Sequence, residues 1–501
     1  MTKIAPSILA ADLSKINNEV INVDKAGAEY IHIDVMDGHY VPNISFGPNI
    51  VETLRPLTKK ILDVHLMITP VMPYIKAFID AGADIISFHP EADDNPNSII
   101  QMIKHANCKA GIAIHPEVEI EAIQKLGKST SMTMSVQSMD PQVLSNIRRD
   151  NISKDALIAL GPALKEEGLS TASDVILGLP GESYASTIQT IKDLVHADID
   201  WINVWTLMLI DGSELNTPKE RKKWDLKSKF RIIPRDFVKL RNGTVVTEIE
   251  EVGIGSSSLS FDEYAELRLL ALILRVTNSG TIFAPLFKFL NEQNVDIFDL
   301  LYKMLKSINL ASKNLQELFN QFKQDTITEL WDSPEEIEKN YQNESEYKKL
   351  LSGKAGQNLV YYYHALVISE QISDWTEFVL QISETMLNQD EKISKEVEQQ
   401  FFSVSNYSRG LGYDILGKDR MQTEPKFFLD YNIMAWMNTG ISSSLSNFKN
   451  KKRKQVVFQL TDEQFNLVED NLDVFGNTPT GRSQVIKVIP ESKLWRRPVI
   501  V

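Results

Sequence analysis

Residues 30–43, YIHIDVMDGHYVPN, decide how the rest of the chain is read. Ile31, Ile33 and Val35 alternate there with His32 and Asp34. A period of two predicts a strand over Tyr30–Val35, with His32 and Asp34 on one side and the aliphatic residues on the other. Working outward, similar short runs occur at Ile4–Leu9, Lys60–Leu66, Ile85–His89, Lys109–Ile114, Met132–Gln137, Ser173–Gly178 and Ile202–Leu207. Amphipathic stretches such as Leu13–Ala26 and Asp155–Glu167 separate most of them. Strands alternating with helices imply parallel βαβ units, and eight such strands are the number that closes a (β/α)8 TIM-type barrel.

Beyond about Leu215 the character changes. Segments such as SFDEYAELRLLALILRV (260–276) and KNLQELFNQFKQ (313–324) are helix-periodic and poor in Gly and Pro, which predicts a helical domain. The end of the chain, QVVFQLTDEQFNLVEDNL (455–472) and SQVIKVIP (483–490), predicts a small α/β tail. The expected division is 1–123 and 124–214 forming the barrel, 215–450 helical, and 451–501 the tail.

Of the 501 residues 43% are hydrophobic and 24% charged, an ordinary balance for a globular chain with real cores. The net charge of −14 argues against a general nucleic-acid or anionic-membrane binder. The basic run Lys449–Lys454 (KNKKRK) goes against that trend, and its plainest reading is a solvated loop or helix end, with nucleic-acid contact the alternative. No secretory signal opens MTKIAPSILAADLSK and no run of 18 apolar residues occurs, so a cytoplasmic protein is expected. The single cysteine, Cys108, can form no internal disulfide and cannot hold an iron–sulfur cluster.

His32 and Asp34 gain a third partner in His65, which ends the neighbouring strand (KKILDVHL). Two imidazoles and a carboxylate with an open position suit a divalent transition metal: Zn, Mn or Fe. His89 ends the next strand in ISFHPEA, so the rim is polar strand after strand and His89 is a further expected substrate contact. Met36 and Met67 follow two residues after Asp34 and His65, either lining the same rim or filling core. A metal beside such a carboxylate suits proton abstraction next to a carbonyl, with Asp34 as the base.

In order and spacing IAPSILAAD, YIHIDVMDGHYVPNISFGP, DVHLMI, ISFHPEA and GIAIHP resemble the ribulose-phosphate 3-epimerases, from residue 3 to about 123. The resemblance implies one divalent metal (Zn, Mn, Fe or Co) on His32, Asp34 and His65, and Asp34 as one of two catalytic acid/bases. It implies substrate contacts from Ser7, Met36, His39 and Met67, with a small phosphorylated sugar as substrate. The activity implied is an isomerase interconverting ribulose 5-phosphate and xylulose 5-phosphate. After Ile123 the pattern departs: Gln137-Ser138 stand where a phosphate-binding glycine loop should begin, and Asp174 lacks the paired glycines that follow the family's second acid. Asp174 is thus either a replacement for that acid or a strand-start or capping residue.

The later segments SVQSMDPQVLSNIRRDN, DVILGLPGESYASTI and TLMLIDGSELN resemble the back of a radical SAM enzyme, continuing to about residue 450 without its cluster cysteines. The sequence therefore reads as a fusion, five epimerase-like strands followed by three radical-SAM-like ones. Its expected function is a metal-dependent sugar-phosphate epimerase. The alternatives are a catalytically impaired metal- or ligand-binding protein, a radical-SAM-type remnant, and two genes joined by rearrangement. Its oligomeric state is left open.

Overall fold

The computed structural model describes residues 4–93, 95–113, 132–133, 135–166, 171–278, 282–389, 393–416, 423–439, 443–489 and 493–501. The chain divides into two compact units, Met1–Ala122 and Ile123–Val501.

The first unit is a four-stranded parallel sheet in the order β1 (Tyr30–Met36), β2 (Ile61–Met67), β3 (Ile85–Phe88), β4 (Lys109–Ile112). Strict alternation puts Ile31, Ile33 and Val35 of β1 and Leu62, Val64 and Leu66 of β2 into the core, each 3% exposed or less. Against them pack Val20, Val51, Leu54, Ile75, Phe78, Ile99 and Ile103 from the intervening helices. Each such side chain contributes about 1.5–3 kcal/mol, so the helix-facing side fixes the register of the sheet. The other side is left to His32, Asp34, Asp63 and His65, all partly exposed. Ile4–Leu9 is not a strand: Ser7 makes one bridge to His32, and residues Ile8–Ala10 form a 3-10 turn. Pro6 has no N–H to give a ladder, and the Ser7 hydroxyl accepts from Leu9 N and caps the turn instead.

The second unit holds a three-stranded parallel sheet of β5 (Met132–Thr133), β6 (Thr171–Leu177) and β7 (Trp201–Thr206). The described ladders thus form two separate parallel sheets, and the closed eight-strand barrel expected from the strand count is not among them. Strands also occur where helix was expected. β8 (Lys227–Lys239) and β9 (Val245–Gly255) form an antiparallel hairpin. β10 (Lys426–Tyr431) is a further strand in that region, and it pairs with β11 (Lys449–Gln459) and through it with β12 (Arg497–Ile500), which lie almost wholly in the segment expected to be α/β. The basic run is therefore the first half of β11 rather than a loop or helix end, with all but Asn450 of Lys449–Lys454 exposed. The helix Phe261–Thr277 opens on a Ser260/Glu263 capping box and is buried on nearly every face, as its continuous apolar run requires. No helix among the described residues is long and apolar enough to cross a membrane.

The GLPGE turn after β6 depends on a buried carboxyl. Gly178 and Gly181 sit at φ +87° and +81°, and Glu182 accepts hydrogen bonds from the N–H groups of Gly178 (3.0 Å) and Leu179 (3.4 Å). Burial pushes the Glu182 carboxyl up to about 8, against those two bonds, which favour the charged form. A raised carboxyl pKa stabilises the fold fully below the unfolded value of 4.5, and that contribution is lost as pH rises through about 8. Between these limits the unfolding free energy should fall by up to about 1.4 kcal/mol per pH unit, and Glu182→Gln should remove that slope in denaturant titrations at several pH values.

Candidate metal centre

Because β1 and β2 run parallel, His32 lies beside Asp63 and Asp34 beside His65. That register turns a local alternation into a cluster. Asp34 Oδ1 is 3.2 Å from His32 Nε2 and 3.4 Å from His65 Nδ1. One ligand atom from each of the three lies within 4.8 Å of the others. Two ligands about 2.1 Å from a tetrahedral centre stand about 3.4 Å apart, so these spacings suit a small divalent cation.

The far nitrogen of each ring is already engaged. His32 Nδ1 is 2.9 Å from Asp63 Oδ2, and His65 Nε2 is 3.0 Å from His89 Nε2. With Nδ1–H given to Asp63, His32 turns a lone pair toward Asp34 Oδ1, an oxygen that only accepts. Two acceptors facing each other call for a cation or a proton between them. A metal held by His65 Nδ1 would leave that ring's proton on Nε2, where it would donate to His89 Nε2. His89 would then carry Nδ1–H toward Glu91 Oε1, 3.4 Å away, the oxygen that also accepts from Tyr40 Oη at 2.7 Å. Such outer partners fix ring orientation and tautomer in metal sites. The other oxygen, Asp34 Oδ2, accepts from Ser7 Oγ at 2.7 Å.

The structure therefore brings Ser7, His32, Asp34, His65 and His89 together. Met36 and Met67 are register partners on the same face, both half-buried. His39 is exposed in the following loop, where its N–H and its ring bond to Asp37, and no described bond ties it to the cluster. Asp63, Glu91 and Tyr40 were not singled out in the sequence. The signal for Asp63 was its position two residues before His65 in DVHL, which puts both on one face. Across the sheet one row reads Asp34, His65, Ser87, Gly111, and a Cβ on Gly111 would stand 2.3 Å from the Ser87 hydroxyl.

Asp174 lies in the other unit, in mid-strand rather than at a strand start. Its carboxylate accepts from Ser135 Oγ (2.5 Å), Trp205 Nε1 (2.8 Å) and Asn203 Nδ2 (3.0 Å). Burial raises its pKa, but those three donors outweigh burial and hold it below the usual range, which makes Asp174 a poor proton donor at neutral pH. Gln137, where a glycine loop would begin, adopts φ +59°, a left-handed conformation costing a non-glycine residue about 1–2 kcal/mol.

The two imidazoles are driven in opposite directions. The bond to Asp63 raises the pKa of His32 against burial, whereas burial lowers that of His65 against the nearby Asp34. In metal-free protein, NMR titration should find His32 protonating above and His65 below an ordinary imidazole. The stabilisation from His32 is then complete below its unfolded value and is lost as pH rises through the raised one. Asp63→Asn should bring His32 down and remove that contribution.

Comparison with known proteins agrees with this geometry. The ribulose-phosphate 3 epimerase family matches residues 3–148. The ribulose-phosphate 3-epimerase of Bacillus subtilis (strain 168) is 52% identical over 124 residues, 25% of this chain and 57% of that protein. That of Synechocystis sp. is 44% identical over 155 residues, 29% of this chain and 67% of that protein. Ribulose-phosphate 3-epimerase 1 of Cupriavidus necator is 38% identical over 167 residues, 32% of this chain and 69% of that protein. The chain spans about half to two thirds of the length of these curated relatives. A solved structure of Elp3 from Methanocaldococcus infernus covers 44% of this chain and 48% of its own, at 19% identity and a TM-score of 0.23, too low to bear on the fold. With the metal-type cluster and the matching segments in the same strands, the chain belongs, through residues 3–148, to the ribulose-phosphate 3-epimerase family.

Proposed function

We propose that the first unit binds one divalent metal through His32 Nε2, Asp34 Oδ1 and His65 Nδ1, and epimerises a ketopentose phosphate of the ribulose 5-phosphate class at C3. The observation that carries this reading is the lone carboxylate oxygen facing two ring nitrogens whose partners are already taken. When bound, the metal supplies polarisation of the substrate carbonyl, which acidifies the adjacent C–H. Asp34 divides its oxygens: Oδ1 faces the imidazoles, and Oδ2, held by the Ser7 hydroxyl, is the one free to take the C3 proton once that hydroxyl turns to the substrate. Asp63 and His89 keep the two rings aimed.

Epimerisation also needs a donor on the opposite face of the planar intermediate, and Asp174 is engaged by three donors in the other unit. That observation favours a second reading, in which the chain binds metal and sugar phosphate with little turnover. One pair of measurements separates the two. On the epimerase reading, Mn²⁺- or Zn²⁺-loaded protein converts ribulose 5-phosphate to xylulose 5-phosphate, and Asp34→Asn lowers the rate by about 10²–10⁴-fold. Equal rates in both proteins would exclude catalysis by this site. On either reading, Asp63→Asn should weaken metal binding about 10–100-fold by calorimetric titration.

A further inference from the structure

The second unit contains a small cavity of about 40 Å³ whose lining, among the described residues, includes three arginines, Arg231, Arg268 and Arg275, and no aspartate or glutamate. Arg231 comes from β8, while Arg268 and Arg275 stand seven residues apart on the helix Phe261–Thr277 and share one face of it. A guanidinium stays charged at any ordinary pH, so it cannot relieve its burial by losing a proton. Arg268 is only 5% exposed, yet its Nε is buried with no hydrogen-bond partner among the described residues. Arg231 spends Nε on Glu250 Oε1 (2.6 Å) and Nη1 on Glu329 Oε1 (3.2 Å). Glu329 is partly buried, its side chain 18% exposed, and burial raises its carboxyl pKa while the nearby Arg231 and Arg268 lower it, so two cations share that carboxylate's field. Arg275 is sandwiched, its guanidinium carbon 4.5 Å from the Trp201 ring centre and 4.7 Å from that of Tyr361. Stacking on both faces fixes the plane of the fork and leaves its N–H groups directed edge-on.

Three planar cations converging on a space with no acidic lining form a receptor for a group that offers several acceptor oxygens and negative charge together. From this geometry we infer that the cavity binds one small oxyanion, a phosphate or carboxylate group, through Arg268 and Arg275, with Arg231 completing the positive wall. The cavity has room for the anionic head alone. This site lies wholly in the second unit and is independent of the metal-site proposal.

The test is calorimetric titration of the full-length protein with sodium phosphate and, separately, sodium acetate, at ionic strength held constant with chloride. Saturable binding of either anion is expected, weakened about tenfold or more in Arg268→Met. Binding of phosphate alone assigns a phosphate-bearing ligand, binding of acetate alone a carboxylate, and binding of both the shared oxyanion chemistry. Arg268→Met without anion should melt no lower than the wild type, because an incompletely bonded buried charge has been removed. Should that variant fail to fold, Arg275→Gln carries the same expectation of weakened binding. No saturation by either anion up to about 20 mM, or equal binding in wild type and both variants, would overturn the inference.

Discussion

Asp34 Oδ1 stands between two imidazole nitrogens, and that juxtaposition exists because β1 and β2 are in register His32 to Asp63 and Asp34 to His65. The register is set on the opposite side of the sheet, where Ile31, Ile33, Val35, Leu62, Val64 and Leu66 bury against helices. A slip of one residue would turn over the strand that shifts and scatter the cluster, at the cost of exposing that strand's three aliphatic side chains. The chemistry is thereby held in place by residues that take no part in it. Asp63 and His89 refine the arrangement by committing one nitrogen of each ring, so that what faces Asp34 is set by hydrogen bonding as well as by strand geometry.

Much of this was legible in the sequence because a strand's period is local. The alternation in YIHIDVM and ILDVHLM gave both the strands and their polar face, and Ser7, His32, Asp34, His65 and His89 meet where the residues suggested. What was not legible is what depends on pairing between strands. Asp63 gains its role only from standing beside His32, and Glu91 and Tyr40 meet across 51 residues of chain. Ile4–Leu9 had the composition of a strand, but a proline and a capping serine turned it into a single bridge and a 3-10 turn. The hairpin of β8 and β9 was missed because charged Arg231 and Glu250 lie on the covered side, Val238 and Val246 are exposed, and Pro234 interrupts the pattern, so period two was masked.

The two units differ in how they handle buried charge. In the first, carboxylates and imidazoles meet at a half-open face. The second buries Glu182 completely in the GLPGE turn, while Arg231 and Glu329 beside the arginine-lined cavity are paired at 15% and 18% exposure, much as Asp34 is. Asp174 shows the same habit in milder form, a carboxylate kept ionised by a serine, a tryptophan and an asparagine. Charges fixed in this way are costly to remove one partner at a time, which ties each to its neighbours more tightly than surface pairs are tied.

Along the row Asp34, His65, Ser87, Gly111 the side chains shrink from His65 through Ser87 to the bare Gly111 at the edge of the sheet. A methyl group at the last position would strike Ser87, so packing alone keeps residue 111 bare. Bareness at this position is thus a packing requirement of the sheet, separate from whatever the polar face binds.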